Sequence, residues 1–96
     1  MINIVYDKEE CKITVSGHAG YAEKGSDIVC AAISALYQTL LLREHCYEQI
    51  GVEDDLRTAF TDTPMWNRVV FDTIAKGMEA IARQYPENVA FRMAQG

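Results

Sequence analysis

The sequence is short of positive charge, of long apolar runs and of paired cysteines, and each shortage excludes something. Nine lysines and arginines face fourteen aspartates and glutamates, a formal net charge of −5, and no basic residues cluster. That argues against nucleic acid or an anionic membrane as a direct partner and suits a basic protein substrate. No apolar stretch approaches the roughly 20 residues that span a bilayer. Met1 to Asp7 shows no cationic segment followed by an apolar run, so no signal peptide is expected. The three cysteines are an odd number without framework spacing, which points to reduced thiols and a cytoplasmic protein. None of them has a partner at the two- to four-residue ligand spacing of a zinc site.

What is present fits one small domain over residues 1–96, with hydrophobic residues at 49% of the chain. A domain this size buries a modest fraction of its surface, so a homodimer would add burial. Ile2 to Tyr6 alternates and reads as a strand. A charged turn, Asp7-Lys8-Glu9-Glu10, leads to a second strand, Cys11 to Gly17, and the pair reads as a hairpin. A long helix is expected from about Asp27 to about Gln49, apolar almost all round in its first half and ended by Gly51. On such a helix Cys30 and Cys46 are separated by roughly 24 Å, too far to share a metal, and His45 near its C-terminus complements the dipole.

Leu56 to Thr61 reads as a third strand. Asp62-Thr63-Pro64 starts a second helix, to about Tyr85, whose apolar stripe is Trp66, Val70, Ile74, Met78, Ile81 and Tyr85. Pro86 stops it, and Asn88 to Met93 is the last strand. The order β-β-α-β-α-β predicts an α+β fold, a mostly antiparallel sheet with two helices packed on one face.

The stretch that carries chemistry is Gly17 to Leu36, GHAGYAEKGSDIVCAAISAL. A strand ends at His18, a loop from Ala19 to Ser26 holds Gly20 and Gly25, and a helix opens with Cys30 in its first turn. The thiolate is the nucleophilic form of cysteine, and the unpaired N–H groups of a helix start favour negative charge. A histidine delivered to the same place can take the thiol proton. Ser26 or Asp27 caps the helix. Ser34 and Tyr37 follow Cys30 by four and seven residues, on the same helical face. Tyr21 and Tyr37 are candidates to line a pocket for an aromatic side chain. Each residue also has a plain reading: a buried small hydrophobe for Cys30, a cap for Asp27, a packing residue for Ser34, a surface residue for His18.

Gly17-His18-Ala19, the twelve-residue step from His18 to Cys30, and the run Asp27 to Leu36 (DIVCAAISAL) resemble the signature of the bacterial ribosomal-processing cysteine protease family, Prp. The resemblance implies a cysteine endopeptidase with a Cys–His dyad, Cys30 as nucleophile and His18 as general base, with supporting roles for Ser34 and Asp27. It implies that Gly20, Tyr21 and Gly25 belong to a loop covering bound peptide. It implies removal of a short N-terminal extension from a large-subunit ribosomal protein, with the cut after aromatic residues, and a homodimer. The dyad needs no cofactor and no metal. The rival readings are the same chemistry on a prophage capsid or scaffold protein, and a non-catalytic ribosome-associated binding module.

Overall fold

The apolar residues of the first hairpin all point one way. In β1 (Ile2–Asp7), Ile2, Ile4 and Tyr6 are buried and the residues between them are not. β1 pairs antiparallel with β2 (Lys12–Gly17), where Ile13 is buried and Val15 is partly so. The computed structural model describes residues 1–17, 27–53 and 55–94. The remaining elements are α1 (Ile28–Leu41), β3 (Cys46–Ile50), β4 (Arg57–Thr61), α2 (Pro64–Gln84) and β5 (Val89–Met93). The strands form one sheet in the order β3-β4-β2-β1-β5, antiparallel except for the β1–β5 pair.

Both helices cover the face that carries Ile4, Tyr6, Ile13, Ala59 and Val89, and they pack on each other. α1 lies over β3 and β4, and α2 lies over β2 and β5. The α+β layout expected from the sequence is therefore what forms. The opposite face is polar, and Thr14 and Thr58 meet across it at 3.1 Å between hydroxyls.

The element count is higher than expected by one. The helix that was expected to reach Gln49 stops at Leu41, and Cys46 to Ile50 pairs with β4 as an edge strand. The helix end is set by tertiary bonds. Leu42 and Arg43 donate backwards to Thr39 and Leu40, tightening the last turn. The Thr61 hydroxyl then donates to the His45 carbonyl at 2.7 Å, and Asn67 donates to the Glu44 carbonyl at 3.0 Å. His45 sits in the connection at φ 63°, not at a helix terminus, with Nδ1 3.6 Å from an Asp62 carboxylate oxygen. Cys46 lies on a strand, so the distance along one helix that separated it from Cys30 does not apply. Gly51 closes a hairpin instead of a helix, donating to the Leu56 carbonyl at 2.8 Å.

The buried face of α2 keeps Ile74 and Met78 of the expected stripe, with Val70, Ile81 and Tyr85 packed against the core, and departs from it at Trp66. Asn67, Phe71, Ile74, Ala75 and Met78 are buried, while Trp66 is 66% exposed. Phe71 takes the core position, and Trp66 lies outside with the Arg43 guanidinium 6.0 Å from its ring. Asn67 tolerates complete burial because its amide is satisfied. It donates to Glu44, Thr61 and Thr63 oxygens and accepts from Arg43 Nε at 2.8 Å. Asn67 thus ties the α1–β3 connection to the start of α2.

Replacing Asn67 with leucine would strand the Glu44 carbonyl and the Arg43 guanidinium. The expected loss is about 1–3 kcal/mol in urea unfolding at unchanged m value. A loss below about 0.5 kcal/mol would contradict the clamp.

Candidate active site

β2 and α1 deliver their ends to one side of the molecule. β2 finishes at Gly17, whose φ is 81° and where a Cβ would collide with the Met1 carbonyl oxygen. Only glycine fits that combination at the last residue of β2. α1 starts at Ile28 with Asp27 as its cap. Asp27 is the residue that caps, and its Oδ1 accepts from Val29 N at 2.9 Å and Cys30 N at 3.0 Å. The cap fixes Cys30 in the first turn, as its spacing from Asp27 predicts. The thiol is half-buried at the edge of the core.

His18, Gly20, Tyr21 and Gly25, with the rest of the expected loop, lie outside the described residues. Of the expected site, the structure brings Asp27 and Cys30 together, with Ser34 one turn further along and exposed. Tyr37 is not on an open pocket. It is 3% exposed in the core, its hydroxyl against the Glu48 carboxylate, and burial followed by that carboxylate raises its pKa. Glu48 in turn lies 3.5 Å from Arg57.

The cap also engages the nucleophile's own backbone, since the Cys30 N–H donates to Asp27. The Asp27 carboxylate also brings a negative charge to the place where a thiolate would gain from the helix dipole. Gly17 and this use of the Asp27 carboxylate are the features that sequence reasoning passed over. A glycine ending a strand just before a candidate histidine was the available signal for the first.

The other two thiols are poor nucleophiles for a physical reason. Cys11 is fully buried, and desolvation pushes its pKa up to about 11. Burial also raises that of Cys46, on β3. All three cysteines are reduced thiols. Among the described residues no three His, Cys, Asp or Glu side chains cluster as metal ligands. Among the described residues no helix is long and apolar enough to cross a membrane. A shallow depression lined by Lys12, Thr14, Gln49 and Phe60 lies on the polar face of the sheet, away from Cys30.

A raised pKa leaves less thiolate at a given pH, so iodoacetamide at pH 7.5 is expected to label Cys30 ahead of Cys46 and Cys11. Asp27→Asn keeps an oxygen for the cap and removes the charge. It should speed labelling of Cys30 by about threefold with little change in Tm. Labelling led by Cys46, or a slower Cys30 in Asp27→Asn, would contradict this account of the helix start.

Comparison with known proteins places this geometry in a family. The family described as Cysteine protease Prp matches residues 1–90. The ribosomal processing cysteine protease Prp of Mycoplasma pneumoniae is 64% identical over 25 residues, 26% of this chain and 25% of that protein. The match therefore spans about a quarter of that relative's length. The fold resembles the essential ribosomal processing protease Prp of S. aureus bound to a covalently linked product peptide, with a TM-score of 0.77, 20% identity and 97% of each chain covered. It also resembles a Streptococcus mutans protein, with a TM-score of 0.68, 25% identity, and coverage of 99% of this chain and 93% of that one. With a family match over nearly its whole length and the same fold, the chain belongs to the cysteine protease Prp family.

Proposed function

We propose that the protein is a cysteine endopeptidase in which Cys30 is the nucleophile and His18 the general base. The observation that carries the reading is the place of Cys30, half-buried in the first turn of α1 at the end of the molecule where β2 terminates. His18 follows Gly17, the last residue of β2, directly in the chain, which supports it as the base. His18 takes the Cys30 thiol proton, and the sulfur attacks the carbonyl carbon of the scissile peptide. The tetrahedral intermediate collapses as His18 gives its proton to the leaving amine. Water, deprotonated by His18, then hydrolyses the thioester and regenerates the thiol. Asp27 holds the first turn in place. Ser34 is a candidate to orient the imidazole or the substrate.

The substrate we propose is the N-terminal extension of a large-subunit ribosomal protein, cut after aromatic residues. A peptide is bound in S. aureus Prp, both as a substrate and as a covalently linked product. Net negative charge suits a basic ribosomal substrate. We place the enzyme in the cytoplasm, working as one domain over residues 1–96 and as a homodimer. Trp66 and Met65, exposed at 66% and 96%, are apolar surface that such a dimer can cover.

The test is cleavage of the extended ribosomal protein from the same cell, with the new N-terminus read by mass spectrometry. The expected result is a single cut after aromatic residues. Cys30→Ala and His18→Ala should each lose about a thousandfold or more in kcat/KM. Undiminished cleavage by Cys30→Ala would overturn the assignment.

A further inference from the structure

We infer that the open face of the sheet carries a second site, which binds an uncharged adenine nucleoside with its base stacked on Phe60. The site is separate from Cys30 and stands whether or not that thiol acts as proposed above.

Strand register builds the floor of this site. Both helices cover one face of the sheet, so alternate residues of β2, β3 and β4 turn away from them. Two cross-strand rows result. Phe60 stands between Lys12 and Tyr47, and Thr58 stands between Thr14 and Gln49. Except for Tyr47, these residues line a depression of about 570 Å³, within the roughly 300–1,000 Å³ of small-molecule sites.

The side chains narrow the ligand to a flat ring with a polar edge. Phe60 and Pro64 both give apolar ring surface to the depression. Tyr47 braces Phe60 from the edge strand, with ring centroids 5.8 Å apart and the planes tilted by 41°. A ring stacked on Phe60 meets the second row at its edge. The Thr14 and Thr58 hydroxyls, 3.1 Å apart, set a donor and an acceptor side by side. The exposed Gln49 amide holds the same two kinds of group in one plane. That is the pattern that pairs with the amino group of adenine and its neighbouring ring nitrogen.

Charge decides which adenine compound fits. Lys12, the cation in the lining, is already 2.8 Å from the Glu10 carboxylate, and the pair carries no net charge. Asp7 stands beside Lys12 in register, and an Asp62 oxygen accepts from the Tyr47 hydroxyl at 3.4 Å. A phosphate would face these carboxylates. The charge pattern therefore favours an uncharged nucleoside over a nucleotide or an RNA strand, in keeping with the chain's net charge of −5.

The test titrates adenosine into the isotope-labelled full chain and follows the backbone amides by NMR. Shifts should saturate at Thr14, Gln49, Thr58 and Phe60, with half-saturation at about 1 mM or below, and leave the Cys30 amide unmoved. Phe60→Leu removes the stacking surface and should weaken binding by about tenfold. Gln49→Glu, at an exposed position, removes the amide donor and should weaken it by about fivefold. Circular dichroism checks that both variants keep the fold. AMP should bind about threefold weaker than adenosine at low salt. Absence of saturating shifts with adenosine, affinity unchanged in both variants, or shifts confined to the start of α1 would overturn the inference. Binding of AMP or a short oligoadenylate as tight as that of adenosine would overturn the choice of an uncharged nucleoside. Methyl glucoside moving the same amides with equal affinity would overturn the choice of a base and give the depression to sugars.

Discussion

One carboxylate decides where the thiol stands. Asp27 gathers the N–H groups of Val29 and Cys30 onto a single oxygen, and this closes the first turn of α1. If the helix began one residue earlier or later, Cys30 would turn by about 100° about the axis and leave the half-buried edge it occupies. The cap therefore does for position what the dipole does for charge, but the two act in opposite senses on the sulfur. The carboxylate holds the geometry and adds negative charge to the place where a thiolate is wanted. With that charge beside the sulfur, the proposed base His18 is the group that would favour the thiolate.

The rest of the fold holds that helix start still. α1 is pinned along its length by Val29, Ile33, Tyr37 and Leu40, all buried against the sheet. At its far end the Asn67 amide binds the α1–β3 connection to β4 and α2. On the same face, where α2 meets the first hairpin, the Tyr6 hydroxyl donates to Asp72 at 2.8 Å, and Arg68 donates to the Lys8 and Glu9 carbonyls of the β1–β2 turn. These polar bonds add directionality to a core whose apolar contacts alone would permit sliding.

The strands of the first hairpin, the start of α1 and both ends of α2 were legible because each has a local cause. Alternation marks a half-buried strand, Asp27 marks a cap, and Pro64 and Pro86 bracket a helix. The end of α1 was not legible because its cause is distant in sequence. Nothing between Leu41 and Cys46 breaks a helix by itself; the break is made by Thr61 and Asn67, sixteen and twenty-three residues away from the carbonyls they bind. The one available sign was Tyr47 and Ile50 ahead of Gly51, a strand reading that the continuous apolar helix pattern masked. The same limit explains why Asn67, and not Trp66, is buried at the start of α2. Periodicity could not separate a stripe through Trp66 from one through Asn67, because a buried asparagine looks polar until its four partners are known. In the site, the thiol and its cap could be read from spacing. That the cap occupies the Cys30 N–H could not, since it depends on which side of the carboxylate the helix turns toward.

The central proposal is that His18 makes the Cys30 thiol reactive. The most direct measurement is the rate of Cys30 alkylation by iodoacetamide from pH 5 to 9, in the unaltered protein and in His18→Gln. The account predicts reactivity that persists at pH 6 in the former and follows an ordinary thiol titration in the latter. Superimposable profiles for the two proteins would contradict it.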